Sequence, residues 1–148
     1  MEIILGCDIV FASKTALLGD SHANYGLLPG AGASVRLSRR LGANNAKYLF
    51  FSGALVAVDD PMFAPLVTRI VEPSTLDLEV DDLAKQISSK SASGLREMKT
   101  LANAAFDQTL AEGLAAEQAA NNRHTTSHDM NEGLAAFNER RRPIFAGR

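Results

Sequence analysis

The chain is predicted to be an α/β protein, strand-like segments first and helices later, on three observations. Short apolar runs with β-branched members, residues 8–12 and 66–71, lie in the first half and suit buried strands. Apolar residues three and four apart mark the second half, as at Leu95, Met98, Leu101, Ala102 and Ala105. Between the two, residues 26–32 (GLLPGAG) put Pro29, Gly30 and Gly32 just ahead of a basic segment. Such a turn lets backbone approach another group without obstruction by a Cβ, and the helix after it points free amides back at the turn.

Taken in order, residues 2–6 read as the last turns of a helix, residues 8–12 as a strand, and Ser13-Lys14 as a turn into a second short strand over 15–18. A polar loop carrying His22 follows, then the glycine turn and a helix opened by Ser34, Val35 and Leu37 and ended by Gly42. Asn44 or Asn45 is placed to cap the next helix, which runs to Phe51 and stops at Gly53. Asp59 with Pro61 suggests a brief helical turn, since proline suits the first helical position. Residues 66–71 alternate like a strand and end at Glu72-Pro73. Helices are then expected over 77–89 and 93–106, and after Thr109, whose capping box with Glu112 satisfies two terminal amides. Asp129 with Glu132 repeats that spacing before a helix over 134–141, which Pro143 closes. The division is thus a core over 1–73 and a helical region over 74–148, whose alanine-rich faces near 111–120 suit close helix approach and packing against another subunit.

A chain of 148 residues with 46% apolar content supports one ordinary domain. A net charge of −2 argues against general nucleic-acid binding, and no apolar run is long enough to span a bilayer. Basic residues do cluster locally, at Arg36, Arg39 and Arg40 and again at Arg140, Arg141, Arg142 and Arg148, where they end helices or meet phosphate. The lone cysteine, Cys7, fits a reducing cytoplasm and is expected to be a buried small hydrophobe. The opening, MEIIL, has no turn or capping residue ahead of its apolar run and reads as though it starts inside an element. His124 and His128 stand four apart, but Thr125-Thr126-Ser127 between them favours a helix break over a metal site. Gly26 to Ser34 is neither a P-loop, since no lysine follows Gly32, nor a dinucleotide fingerprint, since the third glycine is lacking.

Several segments in register resemble the enoyl-CoA hydratase/isomerase (crotonase) superfamily. They are Glu2 with Cys7-Asp8-Ile9-Val10, the glycine turn with Arg36-Leu37 and Leu41-Gly42, and Ser52-Gly53 with Leu66-Val67. Thr109 to Gly113 and the tail from Ser127 through Asp129, Glu132-Gly133, Phe137, Arg140 and Pro143 to Phe145 continue the match. The likeness covers essentially the whole chain and is expected to be to the family's C-terminal half only, the chain being a fragment without the CoA-binding N-terminal half. The implied fold is the later part of a crotonase-like strand–helix spiral core followed by a C-terminal helical region used in oligomerisation. The implied activity is hydration or isomerisation of an enoyl-CoA thioester in the cytoplasm, by a homotrimer or dimer of trimers. It needs no separate cofactor, because coenzyme A arrives as part of the substrate. The alternative is a non-catalytic remnant or oligomerisation half, and little independent activity is expected of these residues alone.

By the same resemblance Glu2 is the first catalytic carboxylate. His22 stands where typical hydratases carry a second glutamate, with a plain loop histidine as the competing reading. Histidine titrates near neutrality and can move protons, although it does not offer two acceptor oxygens to one water. Asp20 and Ser21 either orient the ring or cap a turn. Gly30 resembles the glycine whose amide faces the attacking water, with a purely structural turn as the competing reading. Ser21 and Tyr25 would line the acyl pocket, and Phe137 and Arg140 would cover the CoA nucleotide, with Arg140 placed either for phosphate or simply at a helix C-terminus.

Overall fold

The computed structural model describes residues 1–147; Arg148, counted above among the basic residues, lies outside them. The chain forms two units, Met1–Asp81 and Asp82–Arg148, with the division inside one helix.

The first unit begins with a short helix, α1 (Glu2–Leu5), ended by Gly6. Strand β1 (Phe11–Ser13) pairs in parallel with β4 (Arg69–Val71), Phe11 opposite Arg69, whose guanidinium lies 5.2 Å from the ring centre. Strand β2 (Leu17–Gly19) runs antiparallel to β3 (Leu55–Ala57), with Gly19 opposite Leu55. A single 3₁₀ turn (His22–Tyr25) follows β2 and ends at Gly26 in the left-handed region. Helix α2 (Ala33–Leu41) starts from left-handed Gly32 (φ 98°), and α3 (Ala43–Ser52) ends on left-handed Gly53 (φ 62°). The core is built from one face of each helix. Ala33, Leu37 and Leu41 recur every four residues on α2 and pack with Ala46 and Leu49 of α3, Leu5, Val10, Phe63 and Leu66.

The strands are shorter than the apolar runs that suggested them. Of residues 8–12 only the last two join β1, of 15–18 only the last two join β2, and 66–71 contributes Arg69–Val71. Leu66 and Val67 are drawn into the turn after the 3₁₀ segment Pro61–Phe63, their amides donating to the Phe63 carbonyl. That segment is capped by Asp60, not Asp59: the Asp60 carboxylate accepts from the Met62 amide. Neither Asn44 nor Asn45 caps α3, whose N-cap is Gly42; the Asn45 side chain instead donates to the Leu41 carbonyl. Strand β3 was not expected, three residues being too few to show a period. Cys7 is exposed, a correction to its expected burial, because it falls in the turn just past α1, where its thiol faces the Ile3 carbonyl at 3.5 Å.

Helix α4 (Leu76–Ser88) carries the chain into the second unit, which holds α5 (Ala92–Ala104), α6 (Leu110–His124) and α7 (His128–Glu139). The Thr109–Glu112 capping box forms as expected: Thr109 accepts from the Glu112 amide while Glu112 accepts from the Thr109 amide at 2.8 Å. The second proposed box does not form. Ser127 is the N-cap of α7, and Asp129 and Glu132 bind the returning tail. Asp129, 1% exposed, accepts from the Ser91 hydroxyl at 2.6 Å, the Ala146 amide at 2.8 Å and the Gly147 amide at 3.0 Å. Glu132 takes both terminal nitrogens of Arg141 and the Ile144 amide. These bonds lower both carboxyl pKa values to about 2, the Ser91 hydroxyl being the largest cause for Asp129 and the Arg141 guanidinium for Glu132.

Candidate active site

Glu2 and His22 come from elements twenty residues apart and meet. Leu5 anchors α1 in the core and so sets the direction in which Glu2 projects. One carboxylate oxygen, Oε1, accepts from the Ala31 amide at 2.7 Å and the Ala33 amide at 3.4 Å. Helix α2 has no side-chain cap from its own N-cap residue. Glu2 therefore supplies from a distance the negative charge that a helix N-terminus favours. The left-handed backbone at Gly32 turns the amides of its two neighbours towards one carboxylate, a conformation that glycine adopts without steric cost.

The other oxygen, Oε2, lies 4.0 Å from His22 Nε2. That is too long for a direct hydrogen bond and close enough for both atoms to reach one group placed beside them. The Glu2 side chain is 21% exposed and that of His22 30%, so the pair is accessible but partly desolvated. His22 opens the 3₁₀ turn, and its other ring nitrogen, Nδ1, is 2.8 Å from Asp20 Oδ1. The same Asp20 oxygen accepts from the His22 amide at 3.2 Å. The turn itself is tied down by Asn24, whose side-chain amide donates to the Gly53 carbonyl at 3.1 Å. A Cβ at Gly53 would overlap the Asn24 carboxamide.

Glu2, His22 and the glycine turn are thus assembled in the first unit. The amides that reach Glu2 are those of Ala31 and Ala33. Gly30 sits beside them with open space where a side chain would stand. Ser21 is the N-cap of the 3₁₀ turn, and Tyr25, 78% exposed, closes that turn. Phe137 and Arg140 belong to the second unit. There Phe137 is exposed on α7, and Arg140 is the C-cap in the left-handed region (φ 54°). The spacing Asp-x-His was visible in the sequence, but the burial of Asp20, 3% exposed, was not.

The family model for enoyl-CoA hydratase/isomerase matches residues 1–148. This chain belongs to the enoyl-CoA hydratase/isomerase family. The match runs through the whole chain, and it replaces the expectation of a likeness to a C-terminal half only. Among relatives, the mitochondrial enoyl-CoA hydratase of Pongo abelii is 33% identical over 144 residues, covering 97% of this chain and 50% of the relative. Among solved structures, an enoyl-CoA hydratase subunit I of Geobacillus kaustophilus superposes with a TM-score of 0.92 at 33% identity, over 99% of this chain and 57% of that one. The enoyl-CoA hydratase of Bacillus anthracis gives 0.91 at 30% identity, over 97% and 56%. The fold of this hydratase/isomerase family member is therefore crotonase-like α/β, and the chain spans little more than half the length of the relatives it matches.

Proposed function

We propose that Glu2 and His22 form the acid–base pair of an acyl-CoA enzyme that hydrates or isomerises an enoyl-CoA thioester. The observation that carries the reading is the facing of two proton-carrying atoms, Glu2 Oε2 and His22 Nε2, at 4.0 Å. Each group has its other polar atom engaged, Glu2 Oε1 by the glycine-turn amides and His22 Nδ1 by Asp20. One atom from each is left for the substrate. In a hydration, water adds through its oxygen to C3 of the enoyl group, and one of the pair takes a proton from it. The other gives a proton to C2, so the pair is restored after one exchange with solvent. Coenzyme A enters as part of the substrate, and no separate cofactor takes part. Two facing proton carriers suit hydration better than isomerisation, for which one shuttling base suffices.

The helical region over 74–148 is proposed to assemble the protein as a homotrimer or a dimer of trimers. Support comes from apolar side chains left exposed there, Phe106, Leu110, Leu114 and Phe137 among them. The exposed, unpaired thiol of Cys7 supports a reducing, cytoplasmic setting. Among the described residues no helix is long and apolar enough to cross a membrane.

A second reading, a non-catalytic chain, is favoured by one observation: Glu2 already serves as the cap of α2. Glu2→Gln separates the two, because the amide keeps an oxygen for the cap and loses the carboxylate's ability to take up and release a proton. The assay is turnover of crotonyl-CoA and longer enoyl-CoA esters by the full gene product. Turnover that Glu2→Gln removes while the fold persists supports the enzyme. Absence of turnover with every ester, in a folded protein, refutes it.

A further inference from the structure

We propose that Asp20 is a positioning residue, whose buried carboxylate fixes the ring of His22 so that Nε2 faces Glu2. The inference rests on the acid–base reading above. Its basis is an imbalance in how Asp20 is satisfied. The side chain is 1% exposed, and its Oδ1 receives both the Nδ1 of His22 and the His22 amide. Its Oδ2 is buried with no hydrogen-bond partner among the described residues. A buried carboxylate oxygen left unpaired is costly, and an apolar residue or a fully paired amide would fit such a place at lower cost. If Asp20 served only to start the 3₁₀ turn, its bond to the His22 amide would be enough, and asparagine or serine makes that bond without a charge. What the carboxylate adds is a strong acceptor for a proton on Nδ1.

The geometry follows through to the reacting side of the ring. A proton held on Nδ1 by Asp20 leaves Nε2 as the lone-pair nitrogen of the neutral ring. It also stabilises the cation once Nε2 has taken a proton. The charged groups facing the imidazole are Asp20 from the end of β2 and Glu2 from α1. The ring thus lies between an anion that orients it and an anion that shares the substrate with it. A Cβ at Gly19, directly before Asp20, would overlap the Ala54 carbonyl, so only glycine fits at that position.

The test is Asp20→Asn in the full gene product, an isostere that keeps an acceptor for the His22 amide and removes the charge. Two readouts are taken. The ¹⁵N shifts of the His22 ring at alkaline pH report which nitrogen carries the proton. The expected result is a proton on Nδ1 in the parent protein and a redistribution towards Nε2 in the variant. Steady-state kinetics with the best enoyl-CoA ester should show kcat lowered about 10²–10⁴-fold with KM little changed, the range for losing an oriented acid–base group. Unchanged ring shifts, or an unchanged kcat in a protein that Glu2→Gln inactivates, overturns the proposal and leaves the acid–base reading standing. The expected redistribution in the variant, together with a parent protein that shows no turnover, supports the positioning role and removes the enzymatic reading instead. If Asp20→Asn does not fold, Asp20→Ser, smaller and still able to accept from the His22 amide, carries both readouts.

Discussion

Each unit buries an aspartate, and the two are treated in opposite ways. Asp129 in the second unit is saturated. It receives hydroxyl and amide donors from the start of α5 and from the returning tail, and its pKa is held at about 2. Asp20 in the first unit has one oxygen without a partner among the described residues and gives the other to a histidine and its amide. A carboxylate that ties distant backbone together is part of the architecture and best fully bonded. One that keeps spare capacity beside a titratable ring is placed to act on that ring. Glu2 combines the two uses, one oxygen capping a helix and the other facing His22.

The contrast can be tested at several strengths. The largest effect is expected from Glu2→Gln, which should lower kcat of the full gene product about 10²–10⁴-fold while circular dichroism and melting temperature hold near the parent values. A melting temperature that falls in step with activity would move Glu2 to the architectural side. Asp129→Ala should do the reverse. It should lower the melting temperature by about 5 °C or more and open the tail to protease, with kcat per folded molecule retained. Loss of kcat without loss of stability would break the distinction.

Acid sharpens it further. Asp129 and Glu132 have folded-state pKa values lowered to about 2, below the ordinary 3.8 and 4.5. Their contribution to stability is therefore fully present above the ordinary carboxylate range and lost as pH falls from there towards 2. Melting followed by tail-specific proteolysis between pH 5 and pH 2 should show the tail released progressively, and Asp129→Asn should flatten that dependence.

Smaller effects probe the supports. Gly53→Ala forces a left-handed residue to carry a Cβ against Asn24 and should cost about 1–2 kcal/mol, with kcat disturbed through the turn that carries His22. Thr109→Ala removes the N-cap of α6 and should cost about 1 kcal/mol with no kinetic consequence, read by chemical denaturation.

Much of this was legible in the sequence, and the parts that were not share a cause. Helix ends marked by Gly42, Gly53 and the Thr109–Glu112 pair stand where local chemistry puts them, because a cap or a left-handed glycine acts within one turn. Glu2 and His22 were candidates from resemblance alone, and the structure places their side chains 4.0 Å apart. Asp129 and Glu132 had the spacing of a capping box, yet their partners Ala146, Gly147, Arg141 and Ile144 return from beyond the helix. Strand β3, three residues soon after a helix stop, is too short to announce itself, and the burial of Asp20 had no local signal. Local signals were readable; contacts made across the chain were not.

The oxygen that Glu2 lends to Ala31 and Ala33 links the carboxylate facing His22 to the backbone that leads into α2. A molecule that draws this carboxylate aside will loosen the two amides, and one that leaves it in place will not. Deuterium uptake at those two positions then becomes a gauge for ligand screening, able to tell a compound that engages the acid from one that merely settles nearby.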